Sequence, residues 1–144
     1  MHKITRLSIS CFLPSFQAIH KETGKVAALK QVPITDPSDI ADDTKEIDIL
    51  AECQHENIVK LYDAYYWDDK LWIYIEFCDG GAVDNIMMEL EKGLTEPQIV
   101  SIAYQMLQGL LYLHDNNIMH RDLKAGNILL TDKGIVKIGE LIPQ

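Results

Sequence analysis

Basic residues are scarce in this chain: 13 Lys and Arg stand against 22 Asp and Glu, a formal charge of −9 over 144 residues. Nucleic acid or an anionic membrane would be repelled by such a chain, so neither is expected as the main partner. Cysteine is scarce too. Cys11, Cys53 and Cys78 show no metal-ligand spacing, and their odd number disfavours a disulfide framework. A reducing, cytoplasmic setting is therefore expected. No apolar run approaches the roughly 20 residues of a membrane span. The first 13 residues place Lys3 and Arg6 before a Ser-broken apolar stretch, a faint signal-peptide pattern with nothing secreted-looking behind it. Internal repeats, low-complexity tracts and linkers rich in Pro, Gly or Ser are all absent from the sequence.

What is present is an apolar fraction of 47%, enough for one ordinary domain with a core. Residues Lys25 to Val32 read as a strand after the turn signal Glu22-Thr23-Gly24. Asp36-Pro37-Ser38-Asp39 opens a helix expected to reach about Cys53, with Ile47, Leu50 and Ala51 on one face. Ile58 to Trp67 and Leu71 to Cys78 read as a hairpin around Asp68-Asp69-Lys70. Gly80-Gly81 precedes a short helix from Ala82 to about Lys92, ended by Gly93. Thr95-Glu96-Pro97-Gln98 is a capping-box opening for a helix reaching His114, with a wide apolar stripe that includes Ile99, Met106, Leu107 and Leu113. Ile128 to Leu130 and Ile135 to Ile138 flank Thr131-Asp132-Lys133-Gly134 as a further hairpin. Strands with one helix, then mostly helices, is an α+β order with a lobe boundary near Asp79 to Gly81.

The densest signal is His120-Arg121-Asp122-Leu123-Lys124-Ala125-Gly126-Asn127, which matches the pattern H-R-D-L-x-x-x-N. With the V-A-x-x-K strand ending at Lys30 and the run Glu76-Phe77-Cys78-Asp79-Gly80-Gly81, in this order, the chain resembles a eukaryotic protein kinase. Lys124 resembles the serine/threonine rather than the tyrosine class. The stretches Lys45 to Leu50, Leu71 to Cys78, Gly80 to Asp84 and Leu94 to Ile99 narrow the resemblance to the sterile-twenty-like group, in its Ste20-like and lymphocyte-oriented kinase branch.

The resemblance implies a bilobal kinase-like fold: an N-lobe over 1–77, an antiparallel sheet with one helix; a hinge at 78–81; and an incomplete helical C-lobe over 82–144. It also implies ATP-dependent phosphorylation of protein Ser or Thr hydroxyls, with Mg²⁺ as cofactor, and leaves room for a kinase–kinase dimer partner. Asp122 would receive or orient the hydroxyl proton, Lys124 would approach the transferred phosphate, and Asn127 would ligate Mg²⁺. Lys30 would hold the α- and β-phosphates and pair with Glu46. Backbone groups at Glu76 and Cys78 would bond adenine, with Ile75 as gatekeeper and Ala28 and Leu129 sandwiching the ring. Asp84 matches a ribose contact, although a helix-start role competes. Arg121 reads as structural and His120 as a packed core residue.

Two departures bear on activity. The family's glycine-rich loop, L-G-x-G-x-F-G-x-V-Y-x-A, falls without gaps on Leu7 to Ala18, where Leu7, Phe12 and Ala18 fit but all three glycines are replaced. Backbone N–H groups cannot close on phosphates as readily past a Cβ, and Pro14 removes one donor. The metal-binding D-F-G falls on Glu140-Leu141-Ile142, which keeps a carboxylate but loses the glycine. The activation segment and the rest of the helical lobe are expected to be missing, so the chain reads as a partial catalytic domain, inactive or weak by itself. The alternative is a pseudokinase-like module that binds nucleotide or docks without catalysis; a chain with no stable independent existence is a third. Without the loop glycines, Mg·ATP is expected to stabilise the purified chain little against heat. A shift of several degrees by scanning fluorimetry would overturn that expectation.

Overall fold

The computed structural model describes residues 3–6 and 15–140; at residues 3–6, 15, 37–43 and 46 it describes the backbone alone. Most of the signal-peptide-like start, the Leu7 and Phe12 frame residues of the loop, and Leu141 and Ile142 therefore lie outside the described residues. The chain divides into two compact units, one of Met1–Glu52 with Lys60–Phe77 and one of Cys53–Val59 with Cys78–Gln144.

The first unit is built on an antiparallel five-stranded sheet. Its strands are β1 (Lys3–Arg6), β2 (Ser15–Ile19), β3 (Val26–Pro33), β4 (Leu61–Trp67) and β5 (Lys70–Glu76), in the order β1-β2-β3-β5-β4. Helix α1 (Pro37–Glu52) joins β3 to β4. Side chains alternate faces along a strand, and β3 shows it: Ala27 and Leu29 are buried while Val26, Ala28 and Lys30 are half-buried. Leu29 stands opposite Phe16 on β2 and Tyr74 on β5, and Ala27 stands opposite Ala18. These residues form one face's core, with Tyr62 and Trp72 packed against it. Burial, and then the hydrogen bond donated by Tyr65 Oη at 2.6 Å, raise the Tyr74 phenol above its ordinary pKa.

The hairpins close on residues that tolerate left-handed backbone. Gly24 has φ +70°, and its N–H bonds the carbonyl of His20 at 2.8 Å. Asp68 and Asp69, both at φ +54°, make a two-residue turn, so Lys70 pairs with Trp67 instead of joining the turn. On α1, Leu50 is buried and Ile47 half-buried, but Ala51 is exposed, so the apolar face is narrower than the sequence pattern suggests.

The second unit holds β6 (Gly81–Ala82), α2 (Val83–Glu89), α3 (Glu96–Asp115), β7 (Ile128–Leu130) and β8 (Val136–Ile138), with the strands in the order β6-β7-β8. Ile58 and Val59 belong here, and β4 begins only at Leu61. The reason is backbone pairing: Ile58 bridges Ile138 in parallel, Val59 N–H bonds the Ile138 carbonyl at 3.0 Å, and Ile138 N–H bonds the Asn57 carbonyl at 2.8 Å. The short helix α2 ends before the expected Lys92. Glu91, at φ +50°, turns left-handed, and Glu91 and Lys92 N–H groups bond the carbonyls of Met88 and Met87, so Glu91 supplies the C-terminal turn expected of Gly93. At α3 the Gln98 side chain reaches back to the Thr95 N–H at 2.8 Å, as its capping-box residues predict.

Helix α3 buries Gly109 and Leu113 and turns Ile102, Met106 and Leu110 toward the β7–β8 core. Ile99, Val100, Tyr104, Leu107 and Leu111 stay exposed. Among the described residues no helix is long and apolar enough to cross a membrane. Helix α3 packs closely at Gly109, where an added Cβ would stand 2.9 Å from the Asn57 carbonyl oxygen and 2.9 Å from Ile138 Cδ1. Replacing a helix glycine by alanine normally gains up to about 1 kcal/mol. Here the overpacking reverses the sign, and Gly109→Ala should lose about 1–3 kcal/mol in a urea unfolding titration. A neutral or stabilising result would show that this contact is loose.

Candidate functional site

The loop after α3 is shaped by its own hydrogen bonds. His120 is buried, its Nε2 2.7 Å from the Gly139 carbonyl and its Nδ1 accepting the Asp122 N–H at 3.3 Å. One ring nitrogen donates and the other accepts, which sets the tautomer and makes His120 a brace between the loop and the end of β8. Arg121 lies at φ +64° and Glu140 at φ +52°. A non-glycine residue there costs about 1–2 kcal/mol, so the surrounding bonds must impose these turns.

Asp122, Lys124 and Asn127 converge. Lys124 Nζ donates to Asp122 Oδ2 at 2.6 Å, and Asn127 Nδ2 donates to the Asp122 carbonyl at 2.7 Å and to Oδ2 at 3.1 Å. Asn127 is buried in the 3-10 turn Ala125–Asn127, while Asp122 and Lys124 are exposed. The Asn127 carbonyl accepts the Gly139 N–H at 2.9 Å, which ties the loop to the residue before Glu140. The Lys124 hydrogen bond is the chief cause holding the Asp122 carboxyl below its ordinary pKa; desolvation opposes it, and Asn127 adds to it.

Asp84 lies in the first turn of α2, and its Oδ1 accepts the N–H of the next residue, Asn85, at 2.7 Å. Its Oδ2 also lies where a Cβ on Gly126 would come within 2.8 Å, so the missing side chain at Gly126 admits the carboxylate beside the loop. Leu129, on β7, packs its Cδ1 within 3.2 Å of where a Gly139 Cβ would be. The Cys78 side chain is buried, which suits packing rather than nucleophilic chemistry, and its carbonyl accepts the Gly81 N–H at 3.1 Å. In the first unit, Ala28 pairs with Ile75 and Lys30 with Ile73, so these four share the sheet face opposite Leu29 and Tyr74. Glu76 N–H bonds the Lys60 carbonyl at 2.8 Å. The Glu46 side chain lies outside the described residues, so its pairing with Lys30 is not among the observed contacts.

Sequence reasoning passed over Asn57 and Gln105. Asn57 is buried and donates through Nδ2 to the Val136 carbonyl at 2.9 Å and to Gln105 Oε1 at 3.3 Å. Gln105 accepts the Val136 N–H at 3.0 Å and donates to the Gly134 carbonyl at 3.2 Å. A polar residue one place before the apolar pair Ile58-Val59 was the available signal.

The lowered Asp122 pKa has a definite sign. Its ionic contacts stabilise the fold above the unfolded-state pKa, and that stabilisation is lost as pH falls through the folded-state value. Lys124→Met should therefore move the Asp122 titration to higher pH, followed by carboxyl ¹³C shifts; an unmoved midpoint would show that the ion pair does not form in solution.

The Protein kinase domain family matches residues 13–141. Serine/threonine-protein kinase 10 of Xenopus tropicalis is 51% identical over 137 residues, covering 95% of this chain and 14% of that protein. The human protein of the same name is 50% identical over 137 residues, again 95% of this chain and 14% of the relative. Serine/threonine-protein kinase dst1 of Dictyostelium discoideum is 42% identical over 139 residues, 96% of this chain and 19% of that protein. The chain thus spans 14% of the length of the first two relatives. By the domain match and these relatives, the chain belongs to the protein kinase family, in its Ste20-like serine/threonine branch.

Proposed function

We propose that this chain supplies nucleotide-binding and phosphoryl-transfer residues of an ATP-dependent serine/threonine protein kinase that modifies Ser or Thr hydroxyls of protein substrates. The Asp122–Lys124–Asn127 cluster carries the reading. Asp122, kept ionised by Lys124, would orient the attacking hydroxyl and take its proton, while Lys124 stands near the transferred phosphate as a point charge. Lys30, Ala28 and Ile75 supply one nucleotide-facing sheet surface in the first unit, with Glu46 as the partner of Lys30. Backbone groups of Glu76 and Cys78 would bond adenine, Leu129 would cover the ring, and Asp84 would reach the ribose. On this reading residues 1–77 are the N-lobe, 78–81 the hinge and 82–144 the part of the C-lobe present.

Protein kinases generally use ATP and Mg²⁺. The donors here fit such an ion: Asn127 offers an amide oxygen, and Glu140, tied to it through Gly139, offers a carboxylate, both hard oxygen ligands. No cluster of three His, Cys, Asp or Glu suited to a metal occurs among the described residues, so phosphate oxygens of the nucleotide would complete the shell. When bound, the cation neutralises phosphate charge. A cytoplasmic setting and a second kinase copy as dimer partner belong to the same proposal.

Glu140 and the glycine-free Leu7–Ala18 stretch favour weak transfer, and with it the second reading of a module that holds nucleotide or docks without catalysis. The two separate in an assay on a generic basic protein. Trace phosphorylation should disappear in Asp122→Asn and rise roughly tenfold in Glu140→Asp, about 1.4 kcal/mol of barrier. Phosphorylation unchanged by Asp122→Asn would sink the catalytic assignment. Nucleotide binding with no transfer in either protein would support the second reading.

A further inference from the structure

The nucleotide-facing residues of the first unit use one face of its sheet; the opposite face has a cavity. It has a volume of about 330 Å³, at the lower end of the range for small-molecule sites. Ala18 and Ala27, paired across β2 and β3 and both buried, line it, and neither side chain extends beyond Cβ. Tyr62 and Tyr74 line it. The Tyr74 ring is held by stacking on Tyr65, with centroids 5.3 Å apart and planes 27° apart. Lys25 and Asp63 are exposed at the rim. The β2–β3 turn that carries Lys25 is held by the contact between Thr23 Oγ1 and His20 Nδ1 at 3.1 Å.

From this arrangement we propose a binding site for a planar aromatic monocarboxylate, on the sheet face opposite Lys30. The two small lining residues leave space beside the tyrosine rings, which favours a flat aromatic ligand. The Lys25 ammonium sits 3.5 Å from the centroid of the Tyr62 ring. An ammonium carries three donors, so it can lie on the ring and still meet a carboxylate. Asp63, at the same rim, discriminates against more highly charged anions. A phosphate group, and so a nucleotide, is disfavoured where a single carboxylate is admitted. The site does not depend on the phosphotransfer reading.

The test is an amide chemical-shift titration of the whole ¹⁵N-labelled chain with 2-naphthoate and, separately, with the uncharged 2-naphthamide. A ligand of that size is expected to bind in the millimolar range or tighter. Naphthoate should give saturable shifts at Lys25, Ala27, Asp63 and Tyr74, and naphthamide should bind roughly tenfold more weakly. Lys25→Gln, at an exposed position, should bring naphthoate to the level of the amide with the other resonances in place. Three outcomes overturn the site: no saturable shifts, equal binding of acid and amide, or shifts centred on Ala28, Ile75 and Cys78.

Discussion

The pairing of residues 57–59 with β8 is the constraint on which the rest of the second unit depends. Asn57 and Val59 take both backbone groups of Ile138, and the Asn57 side chain holds the Val136 carbonyl. A three-residue strand cannot hold itself, and here it is fastened on one side by this segment and on the other by β7. Everything downstream inherits that position. Gly139 meets His120 and Asn127, and Glu140 takes its left-handed turn as the next residue. Gln105 draws α3 into the same network, and Gly109 lets the helix come close enough for it to form.

The loop chemistry is then a matter of shared donors. Asn127 spends its amide nitrogen on Asp122, His120 spends one ring nitrogen on Gly139, and Lys124 supplies the cation. Buried polar groups are costly unless bonded, and among the described residues no buried side-chain nitrogen or oxygen lacks a partner. That satisfaction fixes the asparagine side chain, while the aspartate stays exposed. The arrangement is therefore rigid on its buried side and open at its charged end.

The first unit shows how one sheet serves two environments. Period-2 alternation puts Ala28, Lys30 and Ile75 on one face and Ala27, Leu29 and Tyr74 on the other. A one-residue slip would exchange the two sets, so the buried Leu29 against Phe16 and Tyr74 also secures the register of Lys30. The aromatic face thus determines where the charged residue of the opposite face stands.

Local patterns in the sequence were enough for the β3 strand, the start of α1, the capped helix α3 and the spacing of His120, Asp122 and Asn127. Each of these depends on residues close together in the chain. The sequence left other features unmarked: the strands Lys3–Arg6 and Ser15–Ile19, the short β6, and the transfer of Ile58 and Val59 to the second unit. Backbone pairing decides these, and its partners lie far off, as Ile138 lies 80 residues from Ile58. Gly93 is a better left-handed residue than Glu91, yet α2 ends at Glu89 and Glu91 takes the left-handed turn, because the Glu91 and Lys92 N–H groups bond the Met88 and Met87 carbonyls there. The sequence by itself determined the family and the chemical groups available. Only the tertiary structure decided that Asn57, Gln105, Gly126 and Gly139 hold those groups, because contacts between distant residues leave no local periodicity to read.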